Sequence, residues 1–192
     1  LMRIDDLIQR MGVITKQLKS FSRKNTERFE PLDFKDAFSS AMAIMEPQLN
    51  QTNVNIETSI TTQSIIIIAD QQRLEQVIIN LLRNALDAVM SVEHPEIKMS
   101  LKKDKLAIFS IRDNGCGISN LKTIFEPFQT TKDPGKGLGL GLTISSNIIS
   151  ELGGTLQAEN LSSRGAEFRI TLPLFDPSKI TARENKEFNS GA

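Results

Sequence analysis

The chain has 192 residues, 39% of them hydrophobic, with 23 basic and 23 acidic side chains and no net charge at neutral pH. That balance gives no support for general nucleic-acid or anionic-membrane binding, and the single Cys, Cys116, excludes an internal disulfide and points to a reducing compartment. The longest aliphatic run is the four Ile at 65–68, far short of the roughly 20 residues of a membrane span. Trp and Tyr are absent, which weakens carbohydrate-binding and base-stacking readings. No signal-peptide pattern opens the chain; starting in mid-pattern at Leu1, it reads as a piece of something longer.

In chain order, Ile4, Leu7, Met11, Ile14, Leu18 and Phe21 recur at alternating steps of three and four. This seam predicts a helix packing in a coiled coil or antiparallel bundle, or else a lone amphipathic helix folded back on its own domain. Glu30-Pro31 reads as a hinge. Phe34, Ala37, Phe38, Ala41, Ile44 and Met45 give a second apolar helical face with Asp33 as N-cap, and Pro47 is expected to end or kink that helix. Residues 54–60 alternate as a half-buried strand, and 65–69 form a short buried one. Residues 70–90 form the next helix, capped by Asp70, with Leu74, Val77, Ile78, Leu81, Leu82 and Ala85 on one face. Its opposite face carries Gln76, Asn80, Asn84 and Asp87. Asn is a poorer helix former than Lys or Glu, so two Asn one turn apart point to a hard cation or polar ligand, although a merely solvated face also fits.

Residues 97–103 and 106–112 predict an antiparallel hairpin, 143–152 a helix stopped by Gly153-Gly154, and 155–159 with 166–173 a closing hairpin around SSRG. The polar tail from Asp176 has no pattern and reads as disordered. Three motifs lie between these elements. RDNGCGI at 112–118 follows a strand: its glycines allow the backbone to approach a ligand, and Asp113 offers a carboxylate acceptor, while a plain turn explains the same letters. GKGLGLGL at 135–142 runs into a helix whose first N–H groups suit phosphate, yet it fits neither the dinucleotide fingerprint nor the P-loop. Between them IFEPFQTTKDP, with Phe125 and Phe128 as anchors, reads as part of a lid; Lys132 and Lys136 are placed to reach phosphates or to remain solvated.

NLLRNALDA, DNGCGI, IFEPF and GLGLGL, in this order, resemble the asparagine, first glycine, phenylalanine and second glycine boxes of sensor histidine kinases. These kinases belong to an ATPase superfamily that includes type II topoisomerases, heat-shock chaperones and MutL. The resemblance spans about residues 31–175. It implies an α/β two-layer sandwich of a mixed sheet and helices with a flexible ATP lid, preceded by a long N-terminal helix. Residues 1–30 then resemble the second helix of the dimerisation and phosphotransfer hairpin, most like that of C4-dicarboxylate sensor kinases, with 176–192 as the tail.

The resemblance implies ATP and Mg²⁺ as ligands. Asn80 and Asn84 would be the catalytic and metal-facing pair. Asp113 would accept from the adenine amino group, with Gly115, Gly117 and Ile118 passing close to the base. Asp87, Phe125, Thr131, Lys132 and Lys136 would line the nucleotide. Gly137, Leu138, Gly139, Leu140, Gly141 and Leu142 would carry the lid backbone past the phosphates. In the intact protein the phosphate would pass to a His on the missing hairpin helix and then to the receiver domain of a response regulator. The resemblance also implies a homodimer joined through those hairpin helices, and a cytoplasmic domain of an inner-membrane sensor. Two departures stand out: Asp87 occupies a position that is basic in many relatives, and the single His, His94, lies in the loop SVEHPE outside any acceptor context. Self-phosphorylation is therefore not expected. The alternative is a conformational ATPase of the mismatch-repair or chaperone kind. Those enzymes have a Glu base where this chain has Asn80, which cannot activate water.

Overall fold

The computed structural model describes residues 29–130 and 138–177. The elements are β1 (Glu30–Asp33), α1 (Phe34–Leu49), β2 (Asn55–Ile60), β3 (Ile66–Ala69), α2 (Gln71–Val89), β4 (Glu96–Lys103), β5 (Leu106–Asp113), α3 (Gly141–Glu151), β6 (Thr155–Asn160) and β7 (Ala166–Pro173). The expected N-terminal helix with its seam at 4–21, lid residues 131–137 and the tail from 178 lie outside the described residues.

A five-stranded sheet runs in the order β2-β4-β5-β7-β6. β2 and β4 are parallel, and the other neighbours are antiparallel. The parallel pair requires a crossover, and α2 lies within it. Period-two alternation puts Met99, Ile111 and Phe168 in one row, and Leu101, Phe109, Ile170 and Leu156 in the next. All seven are buried, and the helices cover this face. Phe34 and Phe38 of α1 pack on Phe109 with ring centroids 5.7 and 5.9 Å apart. α2 buries Leu74, Val77, Ile78, Leu81, Leu82, Ala85, Leu86 and Val89, in accord with the 3.6-residue pattern. Each such Leu or Ile is worth about 1.5–3 kcal/mol when fully buried, so the apolar stripe dictates which way the polar stripe of α2 must point.

The opposite face of the sheet carries a charged row. Lys98 pairs with Glu57 at 3.2 Å, and Arg112 donates from Nε to Glu167 Oε2 at 2.5 Å. Arg169 also reaches Glu167, at 2.7 Å, so this carboxylate, only 1% exposed, is held by two guanidinium groups.

One expectation needs correction. Glu30-Pro31 is not a hinge. Both residues belong to β1, which pairs antiparallel with β3 as a separate two-stranded sheet. Pro31 is tolerated because a two-stranded sheet has only edge strands, where a missing N–H is harmless. Pro47 falls in the last turn of its helix, which stops two residues later, at Leu49. A Pro in the last turn removes a single hydrogen bond, and Asn50 N still closes on Glu46 O at 2.9 Å. Asp33 caps α1 as expected and does a second job. Its Oδ1 accepts from Lys35 N at 3.1 Å and from Ile65 N at 3.2 Å, tying the helix start to the entry of β3.

Candidate functional site

α2 begins with Asp70 Oδ1 accepting from Arg73 N at 3.1 Å. Along its polar stripe Gln76 and Asp87 are exposed, and Asn80 and Asn84 are half-buried. Asn80 is engaged with α3: its Nδ2 donates to Ser145 Oγ at 3.0 Å, and Ser145 is only 2% exposed. Gly141, the first residue of α3, lies directly against the Asn80 amide oxygen, where any side chain would collide. A second link between these helices joins Arg73 to Glu151.

The start of α3 has the character of an anion site. Leu140 supplies no side-chain cap, so the first-turn N–H groups of Gly141, Leu142 and Thr143 are the positive end of the helix. Thr143 Oγ1 is the one buried side-chain polar atom without a hydrogen-bond partner among the described residues. Leu142 and Ile144, like Ile118, Ile124 and Phe125, are half-buried and pack on the apolar core.

Asp113 ends β5 on the helix-facing side and is 4% exposed. Burial pushes its carboxyl above the ordinary range, opposed by hydrogen bonds from the backbone of Gly115 and Ala166. Both of those bonds go to Oδ1, at 2.9 and 3.4 Å, and no described group meets Oδ2. Gly115 sits against α2, where an added Cβ would lie 2.5 Å from Ala88 O; only a bare backbone can pass that close. Gly117 and Gly139 take positive φ angles of 76° and 66°. Ile118 is gripped through its backbone by Asn160, and Asn114 joins the loop to the segment before β4 by accepting from Glu96 N and donating to His94 O.

The structure therefore gathers Asn80, Asn84, Asp113, Gly115 and Gly141 around one helix. α2 touches the first glycine loop at Ala88 and α3 at Asn80. These contacts lie eight residues apart, about 12 Å of helix, with Asn84 midway. Phe125 is half-buried, while Phe128 is 73% exposed and holds φ at 64°, a backbone conformation that non-glycine residues seldom adopt. Leu138, Gly139 and Leu140 are half-buried on the approach to α3. Thr131, Lys132, Lys136 and Gly137 lie outside the described residues. His94 is an exposed loop residue and Cys116 an exposed free thiol. No group of three or more His, Cys, Asp or Glu among the described residues could hold a metal, so a cation here would rely on amide oxygens and its own ligand's phosphates. A cavity of about 410 Å³ is lined by residues of β6 and β7 together with Phe125, the one expected site residue on its wall.

Ser145, Asn160 and Arg164 escaped the sequence reading. Ser145 is one more small residue on a helix, and the other two sit in what reads as ordinary turn chemistry, AEN-LSSRG. Only their hydrogen bonds mark them.

A family model for the "Histidine kinase-, DNA gyrase B-, and HSP90-like ATPase" matches residues 69–176. The two-component sensor PprA of Pseudomonas aeruginosa is 36% identical over 188 residues, covering 93% of this chain and 19% of PprA. The C4-dicarboxylate transport sensor protein DctB of Rhizobium meliloti is 34% identical over 172 residues, covering 88% of this chain and 27% of DctB. This chain thus spans about a quarter or less of these relatives. Among solved structures, the histidine kinase ThkA in complex with the response regulator protein TrrA aligns with a TM-score of 0.72 at 25% identity, covering 90% of this chain and 49% of that one.

Proposed function

This chain belongs to the histidine kinase-, DNA gyrase B-, and HSP90-like ATPase family, and from that premise we propose that it is the ATP-binding catalytic region of a two-component sensor histidine kinase. The observation that carries the reading is the role of α2 as a ruler. Its C-terminal end, at Ala88, abuts the loop after Asp113, its middle, at Asn80, meets the uncapped start of α3, and Asn84 lies between. A nucleotide laid along α2 would present its adenine amino group to Asp113 Oδ2 and its phosphates to the N–H groups of α3.

The amide face also fits Mg²⁺, which takes one or two protein oxygens and completes its shell with phosphate and water. Asn84 would supply the oxygen, with Asp87 one turn on. Asn80, fixed by Ser145, would act beside the first turn of α3. When bound, the metal neutralises phosphate charge; the chain's own part is to hold base and triphosphate in place, which is most of what phosphoryl transfer asks of a protein. Asn80 cannot serve as a base toward water, so transfer to a side chain is favoured over hydrolysis.

The acceptor would be a His on the dimerisation and phosphotransfer hairpin, with residues 1–30 as its second helix and 31–175 as the catalytic domain. From that His the phosphate would pass to a response regulator's receiver domain, a step supported by the ThkA–TrrA assembly. Similarity to DctB, a C4-dicarboxylate transport sensor protein, supports C4-dicarboxylates as the signal; the full reading would be an inner-membrane sensor, with this region on the cytoplasmic side and a homodimer as the working unit. No helix among the described residues is long and apolar enough to cross a membrane.

The test is titration of ATP with and without Mg²⁺, followed by incubation with radiolabelled ATP. Tight Mg-dependent binding without phosphohistidine on this chain is expected. Absence of ATP binding would sink the reading, and stable phosphohistidine would sink the assignment of the acceptor to another segment.

A further inference from the structure

The loop that would hold the base, residues 114–118, has no regular hydrogen bonding of its own, yet the turn between β6 and β7 grips it at three points. Asn160, the last residue of β6, is in register with Ala166 on the face of the sheet that also carries Asp113. Its Oδ1 accepts from Ile118 N at 2.7 Å, and its Nδ2 donates to Ile118 O at 2.9 Å. A planar amide that satisfies the N–H and C=O of one residue does what a paired strand would do. At the loop's other end Arg164 donates from Nε to Gly115 O at 3.2 Å.

Between these two side chains the turn itself presses on Asp113. Leu161 N donates to Gly165 O at 2.9 Å, closing the turn. Gly165 takes φ 92°, and a Cβ there would overlap the backbone oxygen of Asp113. Ala166 N then reaches Asp113 Oδ1 at 3.4 Å. The turn 160–166 thus touches residues 113, 115 and 118, and none of these contacts involves the polar face of α2 or the start of α3.

Resting on the ATP reading above, we propose that Asn160 and Arg164 are positioning residues for the base-binding loop, and that they govern affinity for the purine end of the nucleotide and not for its phosphates. The physical reason is preorganisation. Without the clasp, the loop must be ordered at the moment of binding, and that entropy is subtracted from the affinity for the base alone.

The experiment is calorimetric titration of the full chain with Mg·ATP and with Mg·tripolyphosphate, which has no base, for wild type, Asn160→Ala and Arg164→Met, alongside thermal unfolding. Loss of the clasp is expected to weaken ATP about tenfold, one hydrogen bond's worth, while tripolyphosphate affinity stays within about twofold, as a remote site requires. A merely structural role would lower Tm and affect both ligands together. Unchanged ATP affinity in Asn160→Ala, or an equal loss for both ligands, overturns the proposal. Should Asn160→Ala fail to fold, Arg164→Met decides by the same ratio. Wild type that fails to bind ATP overturns the nucleotide reading as well, which separates the two failures.

Discussion

Replacing Asp113 with Asn isolates the chemistry of the base-binding carboxylate from its structural role. The amide oxygen of Asn can take over both bonds that now reach Oδ1, from Gly115 N at 2.9 Å and Ala166 N at 3.4 Å, so the loop should keep its shape. The other carboxylate oxygen becomes an NH₂, which faces the adenine amino group donor to donor. Losing a charge-assisted hydrogen bond and leaving a buried donor unmet together amount to about 3 kcal/mol, on the order of a hundredfold in Kd for ATP. Guanine presents a carbonyl where adenine presents an amino group, so the ratio of GTP to ATP affinity should rise.

Stability supplies an independent check on the same variant. Burial raises the Asp113 pKa above 3.8, so the native state holds its proton more tightly than the unfolded chain does. Its contribution is therefore fully present below pH 3.8 and is lost as pH rises through the folded value. Asp113→Asn lacks this slope, and at neutral pH it should melt no lower than wild type. ATP titration against thermal unfolding across pH 3 to 8 reads both effects, a range on the order of that in which carboxylates titrate. An unchanged Kd, or a large fall in Tm at neutral pH, would refute the reasoning.

Asn84→Ala should abolish the gain in ATP affinity that Mg²⁺ confers while leaving metal-free binding close to wild type; a persisting Mg²⁺ effect in titrations would place the cation elsewhere. Asp33→Ala removes the α1 cap and the partner of Ile65 N, for a loss of about 1–2 kcal/mol measurable by urea unfolding. Burial works to raise the Asp33 pKa, but hydrogen bonds from Lys35, Ile65 and Ser64 and the Lys35 charge bring it below 3.8. The stability it contributes is therefore present above pH 3.8 and disappears as pH falls through the lower folded value, so wild type and variant should converge in acid. Gly165→Ala forces an L side chain into a positive φ and onto the Asp113 backbone, which costs about 1–3 kcal/mol or more. Its Tm should drop and its ATP affinity should fall with it, whereas a variant as stable as wild type would contradict the tight turn.

How much of this was legible beforehand depends on the range of the interaction. α2, its Asp70 cap and its two faces follow from period 3.6 and from burial of Leu and Ile, both local properties of the chain. The hairpin of β4 and β5 and the closing pair of β6 and β7 follow from period two and from turn residues. The candidate site was legible in outline because Asn, Asp and Gly are unusual choices at those positions: two Asn on a helix face, an Asp before a glycine loop, and alternating glycines ahead of a helix.

What the sequence could not reveal is what each of these residues faces. Glu30 and Pro31 look like a break until Ile68 and Ala69 are alongside, since pairing between strands that are distant in the chain is a tertiary fact. Asn80 and Ser145 are 65 positions apart, and Asn160 and Ile118 are 42 apart. A side chain's type shows that it can donate or accept; only the folded arrangement decides which backbone it meets. Local pattern was enough for every described element except β1, for the buried faces and for the kind of chemistry on offer. The tertiary structure alone decided that α2 spans from the Asp113 loop to the start of α3, and that the turn after Asn160 holds that loop, because those contacts depend on the packing of the sheet and not on any local pattern.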